Sequence, residues 1–117
     1  MSKNIAILVL FDFYSHYLTD KQRDVIEQYY NEDLSLAEIS ENIGITRQGV
    51  RDNIKRAEAA LVALEERFGD VARSERRNNA MQRIERSIGA ISELARKSGQ
   101  HLILEEVGRI RAALEEF

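Results

Sequence analysis

Apolar residues recur along most of this chain three or four positions apart, the interval that lines them up on one face of a helix. Residues 4–18 open the pattern, with Ile5, Leu8, Phe11 or Asp12, and Ser15 on successive turns and Phe13, Tyr14 and Tyr17 crowding the other sides. A helix apolar on more than one face is usually covered on several sides, so this one is expected to pack on the core and also on a partner. A second helix is expected from Thr19, with Val25, Ile26, Tyr29 and Tyr30 on its apolar face and the turn-forming Asn31, Glu32 and Asp33 at its end. A third, shorter helix turns Leu36, Ile39 and Ile43 inward. Val50, Ile54, Ala57, Leu61, Leu64 and Phe68 mark a fourth, roughly 35 Å long at 1.5 Å per residue. Ala80, Ile84, Ile88, Ile91 and Ala95, supported by Met81 and Leu94, give a fifth helix with a narrow stripe. After a turn at 98–100, Ile103, Val107, Ile110, Leu114 and Phe117 follow at spacings of four, three, four and three, the heptad rhythm of helices packed lengthwise.

Local signals punctuate these helices. Thr19 with Gln22, and Ser35 with Glu38, have the spacing of a capping box, in which a hydroxyl and a side chain three residues on satisfy each other's backbone amides. Gly44 falls where the third helix must stop and the backbone needs positive φ, a conformation that costs little only for glycine. Thr46 then reads as the N-cap of the fourth helix. Two helices meeting at this turn, over residues 34–55, read as a helix-turn-helix, whose second helix is shaped to enter the major groove of DNA. Gly69 and Asp70 mark a break. The expected organisation is all-α, with a helix-turn-helix domain lacking a wing over 1–68 and a helical extension over 69–117 that serves packing or dimerisation.

With 117 residues, the chain has room for one core and a small extension. The absence of proline leaves nothing to forbid helices. No apolar run approaches the roughly 20 residues of a membrane span; residues 5–13 come nearest, but Asp12 interrupts them. No membrane insertion is therefore expected. Without cysteine there is no disulfide framework and no thiolate zinc site, which fits a reducing cytoplasm. His16 and His101 stand far apart and outside any metal-ligand spacing, and both read as surface or helix-end residues. No nucleophile motif and no glycine-rich phosphate loop is present. No metal, no cofactor and no enzyme activity are expected.

Charge sharpens the picture because it is uneven. Residues 1–45 carry three basic side chains, Lys3, Lys21 and Arg23, against eight acidic ones. Residues 46–56 reverse the sign, with Arg47, Arg51, Lys55 and Arg56 against Asp52 alone. An acidic scaffold with one basic helix repels a polyphosphate everywhere except at the intended contact. At about 100° per residue, Gln48, Asp52 and Lys55 point nearly opposite the buried direction of the fourth helix, with Arg51 and Arg56 flanking them. Gln48 suits a bidentate contact with adenine, and Arg51 or Lys55 one with guanine. Thr46 and Arg47, at the helix start, suit phosphate contacts reinforced by free backbone amides. Asp52 can accept from a cytosine amino group or pair along the helix with Arg56 or Gln48, the second being the blander role. The candidate DNA-binding set is thus Thr46, Arg47, Gln48, Arg51, Asp52, Lys55 and Arg56. A second basic cluster, Arg73, Arg76, Arg77, Arg83 and Arg86 against Glu75 and Glu85, reads as a solvated face or as a backbone contact without base stacking.

The runs 10–14 (LFDFY), 18–23 (LTDKQR), Tyr29-Tyr30, 34–39 (LSLAEI) and 44–56 (GITRQGVRDNIKR) resemble the YlxM family of small bacterial proteins over about the first 68 residues. The helix-turn-helix itself is similar to region 4 of bacterial sigma factors. The resemblance implies a cytoplasmic regulatory protein encoded beside the genes for the signal recognition particle and its receptor, and involved in that pathway. It implies no catalytic or ligand site. The expected partners are DNA, or else the particle's protein or RNA, and a second copy of the chain. The homodimer is expected because the stripe from Ile103 to Phe117 needs a cover and because two recognition helices bind DNA better than one.

Overall fold

The computed structural model describes residues 3–117, and all of its regular structure is helical. In order these are α1 (Ile5–Tyr14), followed by a 3₁₀ turn (Ser15–Tyr17); α2 (Asp20–Ile26), continued by a π-helical turn (Glu27–Asn31); α3 (Leu36–Ile43); α4 (Arg47–Phe68); α5 (Asp70–Lys97); and α6 (His101–Leu114). The chain divides into two compact units, Met1–Arg73 and Ser74–Phe117, so the boundary falls inside α5.

In the first unit α4 is the central element, and α1, α2 and α3 all pack against it. Its inward residues Val50, Ile54, Ala57 and Leu61 are fully buried, as their spacing predicts. They meet Ile7, Phe11, Tyr14, Leu18, Val25, Ile26, Tyr29, Tyr30 and Ile39 in one core. Both capping boxes form in full: Thr19 accepts from the Gln22 amide and Ser35 from the Glu38 amide, with Gln22 and Glu38 returning to the cap amides. Each arrangement satisfies two donors that a helix start otherwise leaves open.

Three departures from the sequence pattern have physical causes. The buried stripe of α1 is Ile7, Phe11 and Tyr14, while Ile5, Val9 and Phe13 face outward. Where nearly every position is apolar, periodicity cannot set the register, and the tyrosine that must reach a hydrogen-bond partner does. The second helix does not fray at Asn31 but widens into a π turn, in which Tyr29 and Tyr30 are both buried, edge to face with ring centroids 5.2 Å apart. The fifth helix begins at Asp70 rather than near Ala80, because residues 70–79 lack apolar spacing but contain nothing that breaks a helix.

Tyr30 also ties the core to α4. Its hydroxyl donates to the Glu58 carboxylate at 3.0 Å and accepts from the Asn4 amide at 3.4 Å. Burial, reinforced by the Glu58 carboxylate, pushes the phenol up to about 12. A folded-state value above the ordinary 10.0 stabilises the fold fully below pH 10, and that contribution is lost as pH rises from 10 towards 12. Urea unfolding of a Tyr30→Phe variant is therefore expected to show a shallower fall in stability between pH 10 and 12 than the parent. An unchanged alkaline limb would refute the link.

In the second unit, α5 ends in a Schellman turn. Gly99 is left-handed, the Gln100 amide bonds to the Ala95 carbonyl at 2.9 Å, and the Gly99 amide bonds to the Arg96 carbonyl at 3.3 Å. The chain then reverses into α6. Ile88, Ser92 and Ala95 of α5 and Val107 of α6 are buried, and Ile110 lines a shallow depression with Ala80, Ile84 and Ile88. Much of the apolar stripe stays in solvent: Ile84, Ile91, Leu94, Leu102, Ile103 and Ile110 are exposed, and Phe117 lies beyond the end of α6.

Candidate nucleic-acid interface

The turn between α3 and α4 is built to present the start of α4. Gly44 adopts φ 72° and closes α3 through its amide to the Ser40 carbonyl at 3.0 Å, while the Ser40 hydroxyl donates to the Ile45 carbonyl. Thr46 caps α4, its hydroxyl accepting from the Gly49 amide at 3.0 Å. Gly49 has its own steric reason. A Cβ there would lie 3.2 Å from the Thr46 hydroxyl oxygen and 3.4 Å from the end of Ile45, pressing on the cap itself.

Around this cap the candidate residues come together. Thr46, Arg47, Gln48, Asp52, Lys55 and Arg56 are exposed and Arg51 is half-buried; Thr46 and Arg47 stand at the start of α4, and the other five lie on the side away from Ile54 and Ala57. Arg47, Gln48 and Arg51 line a shallow concavity with Ser35, Leu36 and Ala37, so the N-terminal ends of α3 and α4 open side by side. Among the described residues, Arg47, Arg51, Lys55 and Arg56 make no ion pair. Asp52 accepts from the Gln48 side-chain amide at 3.0 Å, the along-helix pairing. That bond engages the Gln48 amide nitrogen and gives the Asp52 carboxylate one partner on its own helix.

His16 lies against Tyr17, with ring centroids 4.4 Å apart, and His101 is the exposed first residue of α6. No group of three or more histidine, cysteine or carboxylate side chains comes together among the described residues. No described helix is long and apolar enough to cross a membrane. Of the second basic cluster, Arg73 pairs with Asp70 at 2.5 Å, whereas Arg76, Arg77, Arg83 and Arg86 are exposed along α5 without ion pairs among the described residues.

One polar junction carries no motif in the sequence. Tyr14, fully buried, donates to the Glu65 carboxylate at 2.5 Å and accepts from the Asp70 amide at 3.0 Å. Glu65 also accepts from the Val71 and Ala72 amides, each at 3.0 Å, and so caps α5 from the last turns of α4. The Tyr14 hydrogen bond, with the two amides and Arg73, holds the Glu65 carboxyl below its ordinary range, while burial and Glu65 raise the Tyr14 phenol. A tyrosine and a glutamate 51 residues apart give no spacing signal. The one hint is the lack of a serine, threonine or asparagine cap at the start of α5.

Residues 1–100 match the family described as "Putative helix-turn-helix protein, YlxM / p13 like". The chain belongs to this UPF0122 family. A UPF0122 protein of Thermoanaerobacter sp. strain X514 is 46% identical over 105 residues, covering 90% of this chain and 90% of its own length. One from Geobacillus kaustophilus is 42% identical over 99 residues, covering 81% and 90%. One from Halalkalibacterium halodurans is 41% identical over 88 residues, covering 75% and 81%. The family match runs to residue 100, past the boundary after Arg73, so both units share in it.

Proposed function

We propose that this UPF0122 protein is a non-enzymatic, cytoplasmic DNA-binding regulator that reads duplex DNA with the start of α4 and takes part in the signal recognition particle pathway. One observation carries the DNA reading: four cations without ion-pair partners among the described residues lie along the first three turns of α4, on a unit whose other charged residues are mostly acidic. In this mode α4 lies in the major groove. Gln48, Arg51 and Lys55 reach base edges, and Thr46, Arg47 and Arg56 hold the phosphates on either side. The start of α3, next to Arg47, faces the backbone, where its amides and dipole favour a phosphate. The pathway assignment rests on the resemblance to the YlxM family alone.

The regulator works as a homodimer. The α5–α6 hairpin leaves much of its own stripe exposed, and a second hairpin covers it in a four-helix bundle. Sedimentation at micromolar concentration is expected to give twice the 13.5 kDa chain mass, and the chain mass alone would contradict it.

A second reading, a protein- or RNA-binding accessory of the particle's GTPase, draws on a different surface. Ile5, Val9, Phe13 and Tyr17 recur every fourth residue along one exposed side, and Phe68 stacks on Tyr17 with centroids 5.6 Å apart. Apolar patches of this kind often mark protein contacts. Mobility shifts on DNA from the protein's own operon separate the two readings. The regulator should bind, more weakly at higher salt, and replacing Arg47, Arg51 and Lys55 with alanine should weaken the shift strongly. No shift, together with co-purification of the GTPase, would favour the second reading, and a shift untouched by those changes would take the DNA contact off α4.

A further inference from the structure

On the α5 wheel, Arg76, Asn79, Arg83 and Arg86 stand at i, i+3, i+7 and i+10, within about a quarter of the circumference at 100° per residue. Together they form a ridge about 15 Å long. All four are exposed. The buried direction of the helix, set by Ile88, Ser92 and Ala95, points nearly opposite, so the ridge faces away from the hairpin seam. Elsewhere in α5 and α6, Arg73, Arg96 and Arg109 are each bridged to a carboxylate three residues earlier. Arg76, Arg83 and Arg86 have no such partner. The nearby carboxylates are Glu75, which borders the ridge at its Arg76 end, and Glu85, which lies well round the helix from it.

We infer that this ridge is a second nucleic-acid contact, which holds the sugar-phosphate backbone of duplex DNA independently of base sequence. Charge selects a polyanion, and three guanidiniums in line match a row of phosphates better than a single bound ion. The absence of any aromatic residue in α5 removes the stacking platform that single-stranded sites use, which leaves a double-stranded backbone. Asn79 adds a neutral donor between the cations, suited to a phosphate or sugar oxygen. The ridge depends on the DNA reading of α4 for the choice of DNA as the polyanion, and its chemistry is otherwise separate. It adds affinity and salt dependence, whereas α4 adds discrimination.

Fluorescence anisotropy on the full chain tests this, using a random-sequence DNA duplex and an RNA duplex of the same sequence between about 50 and 200 mM salt. The triple variant Arg76→Gln, Arg83→Gln, Arg86→Gln, whose helical circular dichroism should be unchanged, is expected to bind the DNA duplex at least about tenfold more weakly. The slope of log affinity against log salt should fall by about 2–3, close to 0.9 per lost phosphate contact. The matching triple lysine variant should restore both. A variant with Arg47, Arg51 and Lys55 changed to alanine should keep the part of the slope that depends on α5. If only the α4 variant loses DNA binding, the ridge is wrong and the regulator reading stands. If only the ridge variant loses it, the ridge stands and the α4 reading fails. Wild-type protein that binds no DNA duplex, or a ridge variant weakened on the RNA duplex alone, overturns the inference.

Discussion

Truncating Ile54 to alanine is expected to cost the first unit about 2–5 kcal/mol, because a fully buried side chain at the centre of α4 leaves a cavity that helices on three sides cannot collapse into. A unit of this length is stable by only about 4–10 kcal/mol, so the change removes a large fraction of the total. Urea unfolding should show a lower midpoint with an unchanged slope. The neighbouring Lys55→Ala, exposed on the opposite face, is expected to stay within about 0.5 kcal/mol of the parent. The pair therefore separates the two faces of one helix. Ile54 serves the fold and Lys55 is free for a ligand. Equal losses at both positions would contradict the assignment of faces.

The second large effect is expected at Gly44. Its φ of 72° is left-handed, and a Cβ there would meet nothing within 4 Å, so any penalty comes from the backbone and not from crowding. Gly44→Asn should be tolerated best, since asparagine visits this region with local hydrogen bonding, Gly44→Ala should cost more, and Gly44→Val most, about 1–3 kcal/mol. DNA affinity should fall in the same order, because this turn sets where α4 begins relative to α3. A valine variant as stable as the asparagine one would mean that the turn does not need the left-handed conformation.

Much of this architecture can be read from short-range chemistry. The two capping boxes, the Gly44 stop, the Thr46 cap and the burial of Val50, Ile54, Ala57 and Leu61 each follow from residues within one or two helical turns of one another. The outward face of α4 follows by subtraction, since what is not buried on a known helix must face away. Features set by distant residues are not legible in this way. The register of α1 depends on Tyr14 meeting Glu65, and the start of α5 depends on that same carboxylate capping it in place of a local side chain. The π turn at Glu27–Asn31 is equally hidden, because it keeps the composition of an ordinary helix while placing both tyrosines inward. Exposure of the α5–α6 stripe was legible only as an excess of apolar positions over what a two-helix hairpin can bury.

The claim that most needs testing is that the start of α4 is the surface that meets nucleic acid. Titration of the isotope-labelled protein with a duplex from its own operon, followed by amide chemical shifts, addresses it directly. The largest shifts are expected at residues 46–56 and at the start of α3, with the α1 face of Ile5, Val9 and Phe13 unmoved. Shifts confined to that α1 face, or none at 46–56 while binding proceeds, would contradict it.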